Sequence, residues 1–224
     1  MLIPRSVLPA LLFLTTIPFA AAQDHTVEII DEAPKADSLS AELAAQFGDR
    51  GYRVKRGTRT VCEIWLKKEW DVQPDFKASP TMLYPFTPGQ LMGVVHFSRR
   101  GSDFRDQTIS SGWYTLRFFL QPVDGNHIGT SPTRDFLLLL SAEKDASGKD
   151  WTPDDLQAVS AEAAGSAHPA MFCLQPAQEG DVPSMRHNEA SDWWILHLTG
   201  TGVAAEERKP DVPLDIVVAG HAPE

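Results

Sequence analysis

Gly112-Trp113-Tyr114-Thr115-Leu116-Arg117-Phe118-Phe119-Leu120 is the stretch on which the fold class turns. Aromatic and β-branched side chains fill it almost without a break, and such residues suit the half-buried pleated surface of a β-sheet. Working outward, Leu91 to Phe97 repeats the signal upstream. Asp135 to Leu140 repeats it downstream as an apolar run of strand length, which fits a strand buried on both faces. Further strands are expected at His25 to Asp31, Tyr52 to Val54, Arg59 to Trp65, Ala170 to Leu174, Ser191 to Thr199 and Leu214 to Val218. In the Arg59 to Trp65 segment the period of two sets Val61, Glu63 and Trp65 against Cys62, Ile64 and Leu66.

Helical signals are few. Asp37 to Phe47 places Leu39, Leu43 and Phe47 on one face, with Gly48 as the stop. Thr152-Pro153-Asp154-Asp155 is a helix start: Thr152 can cap, Pro153 suits the first turn and Asp155 completes a capping box, while Gly165 ends the element. Between Asp71 and Gln90 the prolines at 74, 80, 85 and 88 exclude a regular element and predict a long loop. The fold class that follows is mainly β, an antiparallel β-sandwich of about eight strands with two short helices, because no regular helical crossovers separate the strands.

Ser111-Gly112-Trp113-Tyr114-Thr115-Leu116, followed by Gln121-Pro122, resembles the G-x-Y-[ST]-L element of a family of secreted bacterial β-sandwich domains of unknown function. The resemblance covers about residues 90–140. It implies an exported β-sandwich and implies no activity.

The amino terminus points to export on its own. A lone Arg5 precedes an apolar stretch from Val7 to Phe19 and then Ala20-Ala21-Ala22, the order of a secretory signal peptide cleaved after Ala22. The run is shorter than the roughly 20 residues a bilayer core requires and contains Pro9 and Pro18, so a membrane span is not expected. No cysteine follows it for lipid attachment. Residues 1-22 are therefore assigned to a signal peptide and 23-224 to a single domain, periplasmic or extracellular. Lys plus Arg is 20 against 30 Asp plus Glu, and losing Arg5 takes the mature chain from -10 to -11 (19 minus 30). With no basic run, a nucleic-acid partner is excluded, since duplex affinity comes from clustered cations on phosphate. Export also opens the possibility of a Cys62–Cys173 disulfide, against the alternative of two buried thiols.

Candidate site residues fall into two sets. The first is the loop from Asp124 to Asp135, where Asp124, Asn126 and Asp135 partly imitate a calcium register, although Ile128 stands where an oxygen ligand belongs. The same loop carries His127, which with Arg134 and Asp135 could act as an acid/base group and its orienting partners. Among the seven histidines, His96 and His197 lie on strands and could converge on copper or zinc if those strands are neighbours. The second set is aromatic. Of six tryptophans, Trp193 and Trp194 are adjacent and must face opposite ways, so the outward one, joined by Trp113, is a candidate platform for a sugar ring or a protein partner. There is no G-x-S-x-G elbow, phosphate-cradling loop or dinucleotide fingerprint, and the sequence names no cofactor. The expected function is an exported, non-enzymatic β-sandwich that binds a ligand or partner. The alternative is a metal-binding protein or metal-dependent enzyme built on the histidines and the 124–135 loop.

Overall fold

A computed structural model describes residues 24–35, 39–123, 131–145, 151–204 and 209–222. Among these, strand dominates: β1 (His25–Ile30), β2 (Phe47–Arg56), β3 (Arg59–Lys67), β4 (Trp70–Asp71), β5 (Leu91–Phe97), β6 (Gly101–Ser102), β7 (Thr108–Ile109), β8 (Gly112–Leu120), β9 (Asp135–Ser141), β10 (Met171–Gln175), β11 (Ser184–Asn188), β12 (Trp193–Val203) and β13 (Asp211–Ala219). The helices are α1 (Ala41–Ala44) and α2 (Pro153–Ala164). The mainly β composition with two helices stands as expected. The arrangement is one large sheet ordered β1-β2-β3-β5-β8-β9-β10-β13-β12-β11, curled into an open half-barrel, with β6 and β7 forming a separate two-stranded sheet, and the strands number thirteen among the described residues rather than about eight. All neighbours in that order are antiparallel, and β4 adds the one parallel pairing among the described residues, Gly202↔Trp70, at the end of β12.

The curl makes one face concave, and the strands fill it with a continuous core. Val54, Cys62, Ile64, Met92, Leu116, Phe118, Leu137, Leu139, Phe172, Leu196, Leu198, Leu214 and Ile216 all point inward. Trp70 is fully buried there and its Nε1 donates to the Met92 carbonyl at 2.8 Å. Its backbone pairs with β12 while its indole is anchored to β5, so this one residue bridges the hollow of the curl.

The convex face is covered in three patches. Leu39, Leu43 and Phe47, the face read from the sequence, pack on Trp65, Leu91 and Val94 even though the helix spans only four residues and Gly48 falls within β2. Leu156 of α2 packs on Phe119, Leu138 and Leu140, and Phe104 covers Phe136, Cys173, Trp193, Ile195 and Val217. This is why β9 is buried on both sides. Thr152 accepts from the Asp155 N–H and Gly165 closes α2 in the left-handed conformation, as the sequence predicts. The disulfide is a correction: Cys62 lies in the concave core and Cys173 on the convex side, so the sheet itself stands between the two free thiols. Burial pushes the Cys62 thiol up to about 12 and raises that of Cys173.

Candidate functional site

Register on the convex face lines up one side chain from each of four strands, with Ala142, just past the end of β9, beside the last. Arg53 lies opposite Glu63, Glu63 opposite His96, and His96 opposite Trp113. The Ala142 N–H donates to the Trp113 carbonyl at 3.0 Å, so a methyl group ends the row. Directly opposed residues share a face with closely spaced Cβ atoms, so the row forms a contiguous strip. Arg53 Nε donates to Glu63 Oε1 at 2.7 Å and His96 Nδ1 lies 2.9 Å from Glu63 Oε2. The hydrogen bond from His96, joined by Arg53, holds the Glu63 carboxyl below its ordinary range against the opposing effect of burial. The His96 ring stacks on Trp113 at 4.5 Å and 21°, and Trp65 packs against Trp113 at 5.3 Å. On the other flank the small Ala142 leaves space. A cavity of about 440 Å³ opens there, lined by Ser111, Gly112, Trp113, Tyr114, Ser141, Ala142 and Glu143. Trp113 is half-buried: fixed by its neighbours and still reachable. The strip places an indole beside hydroxyls and a carboxylate, an arrangement with the chemistry to hold a polar ring.

A larger cavity of about 510 Å³ lies farther along the same face, lined by Gln46, Lys67, Asp71, Thr87, Pro88, Gly89, Gln90, Leu91, Arg117 and Trp151. One of its walls is an ion pair that sequence reasoning missed. Arg117 donates through Nε and Nη2 to the two Asp145 oxygens at 2.6 and 2.7 Å, and through Nη1 to the Gly89 carbonyl at 2.7 Å. Thr115 Oγ1 and Trp151 Nε1 also donate to Asp145. A charge amid the apolar Trp113–Leu120 run was the available signal, since a buried cation demands a buried partner. What the sequence could not show was that the partner lies 28 residues away.

The remaining candidates sit apart. His197 Nδ1 lies 2.5 Å from Asp215 Oδ1, and Arg186 Nη2 donates to Asp215 Oδ2 at 2.8 Å. His96 and His197 do not converge, because β5 and β12 are separated by four strands and each imidazole has its own carboxylate. Among the described residues no group of three His, Cys, Asp or Glu side chains could hold a metal ion. Asp124, Asn126 and His127 lie outside the described residues. Asp135 is fully buried and accepts from the Leu83 and Tyr84 N–H groups, while Arg134 Nε donates to the Gln121 carbonyl, so this pair ties down loops. Trp193 belongs to the convex face yet is buried against Phe104, its Nε1 donating to the His221 carbonyl. The partly exposed member of the pair is Trp194, held between the His25 and His187 rings at 4.8 and 4.4 Å.

No family model, curated protein or solved structure matches this chain.

Proposed function

We propose that the chain is exported through its first 22 residues and serves as a β-scaffold that binds a sugar or similar polar ring outside the cytoplasm, with Trp113 as the stacking platform. The observation that carries this reading is Trp113 itself, backed by His96 and opening onto a cavity of about 440 Å³ with Ser111, Ser141 and Glu143 at its edge. Glycan recognition needs an apolar ring face next to hydroxyl and carboxylate acceptors, and this strip provides both. The sandwich expected from the sequence would serve equally as a scaffold; the curled sheet offers the same rigid outer strands.

The test is a titration of the protein spanning 23–224 with glucose, N-acetylglucosamine and their β-linked oligomers, followed by tryptophan fluorescence. Saturable binding is expected, weakened about tenfold by Trp113→Ala, the order of one lost aromatic stack. Binding that Trp113→Ala leaves intact, or no binding by any of these sugars, overturns the reading. Export is tested separately: amino-terminal sequencing of the secreted fraction is expected to start at Gln23, and an intact Met1 terminus rules out cleavage after Ala22.

A further inference from the structure

Independently of the Trp113 reading, we infer that the cavity of about 510 Å³ over Arg117 binds a small organic ligand through its carboxylate. The argument starts from what the Arg117–Asp145 pair costs. Its side chains are 7% and 0% exposed, and two charges removed from water regain their desolvation penalty only when geometry and hydrogen bonding are close to complete. Asp145 meets that demand with donors from Arg117, Thr115 and Trp151. Arg117 does not. Three of its five N–H groups are committed to Asp145 and Gly89, which leaves one on each terminal nitrogen. The guanidinium is thus locked in orientation by the carboxylate behind it and forms part of the cavity wall.

Other donors stand around the same space. Gln90 Oε1 accepts from the Thr87 N–H, while its buried Nε2 has no partner among the described residues. Lys67 brings a second cation to the wall. Asp71 also lines the cavity and is exposed, so it sits at the rim. Leu91, Pro88 and Trp151 add apolar surface. A fixed guanidinium, an ammonium and an unpaired amide donor around an apolar patch match an organic acid whose carboxylate points at Arg117 and whose hydrocarbon part lies on Leu91 and Trp151.

Benzoate and its uncharged isostere benzamide are the probes, with the full mature chain labelled for observation of the Trp151 indole N–H. Arg117 itself is a poor target, because its loss strands Asp145 and threatens folding. Lys67→Met and Asp71→Asn leave the buried pair intact. Benzoate is expected to shift the Trp151 resonance saturably and benzamide to leave it in place. Lys67→Met should weaken benzoate binding by about tenfold and Asp71→Asn should strengthen it, with both effects shrinking as salt rises. A purely structural cavity would not answer the two substitutions in opposite directions. Absence of a saturable shift, equal binding of benzamide, or indifference to both substitutions overturns the proposal.

Discussion

Asp135 shows how a side chain singled out in the sequence acquires its partners only in the fold. The sequence offers it as a metal ligand, whereas the structure buries it and directs its oxygens at the Leu83 and Tyr84 N–H groups, 3.0 and 3.2 Å from Oδ1. Burial raises its carboxyl to about 6 despite those two N–H donors. Because the folded value lies above the ordinary 3.8, the unfolded chain loses this proton first, and the associated stability is lost as pH rises from about 4 through about 6. Asp135→Asn cannot titrate, so its deficit relative to the parent is expected to be larger at pH 3.5 than at pH 7. Urea midpoints at the two pH values check this, and a deficit that grows with pH contradicts it. The same limit applies to the Trp113–His96 strip. Trp113 and His96 are each visible as candidates in the sequence, but their stacking depends on a strand register between β5 and β8 that neither segment encodes alone. Arg117 needed only one further question, namely what pairs with a cation in an apolar strand.

Elements with strong local signals were the legible ones. β5 and β8 occupy the expected residues, and α2 carries its expected caps. β11 was missed because Ser184-Met185-Arg186-His187-Asn188 lacks apolar alternation; its strand character comes from pairing with β12 and from the Arg186–Asp215 bridge. The two-residue strands β4, β6 and β7 are likewise defined by their partners. A bulge between Leu91 and Gly93 also defeats simple alternation: Met92 joins the concave core and Val94 the convex patch, although they are two residues apart. The tightest dependence of element on partner is at β12, where a Cβ on Gly200 would stand 2.4 Å from the Trp70 ring. Trp70 cannot retreat, being buried and hydrogen-bonded to Met92. Gly200→Ala is therefore expected to destabilise the fold by about 1–3 kcal/mol, the usual cost of overpacking, and to loosen β4 from β12. Thermal denaturation measures the cost. An unchanged midpoint would show that Trp70 does not brace the curl.

At the scale of the whole molecule, the sheet bends until its edge strands β1 and β11 approach, and the approach is made by side chains. His25 packs on Trp194, Trp194 stacks on His187, and His187 Nε2 lies 2.8 Å from Asp192 Oδ1. This explains why a sandwich was the natural expectation: local patterns report which face of a strand is buried and are silent on whether one sheet or two supplies the cover. His25 is the weak point of the seam, with a buried Nδ1 that has no partner among the described residues. Burial, with Arg56 and His187 nearby, lowers its pKa from 6.5 to about 4, while Asp192 and Asp24 pull the other way. The unfolded chain takes up this proton first, so the stability associated with neutral His25 is present above about 6.5 and drains away as pH falls to about 4. Asp135 acts with the opposite sign over much of that range, which makes the parent protein's own pH curve a poor witness. The comparison that isolates the seam is His25→Phe, which keeps a ring against Trp194 and removes the titration. Relative to the parent, His25→Phe should gain stability steadily between pH 6.5 and pH 4, and hydrogen exchange should show β1 opening in the acidified parent before β9 does. If acid loosens β1 equally in both proteins, closure of the curl does not depend on the charge state of His25.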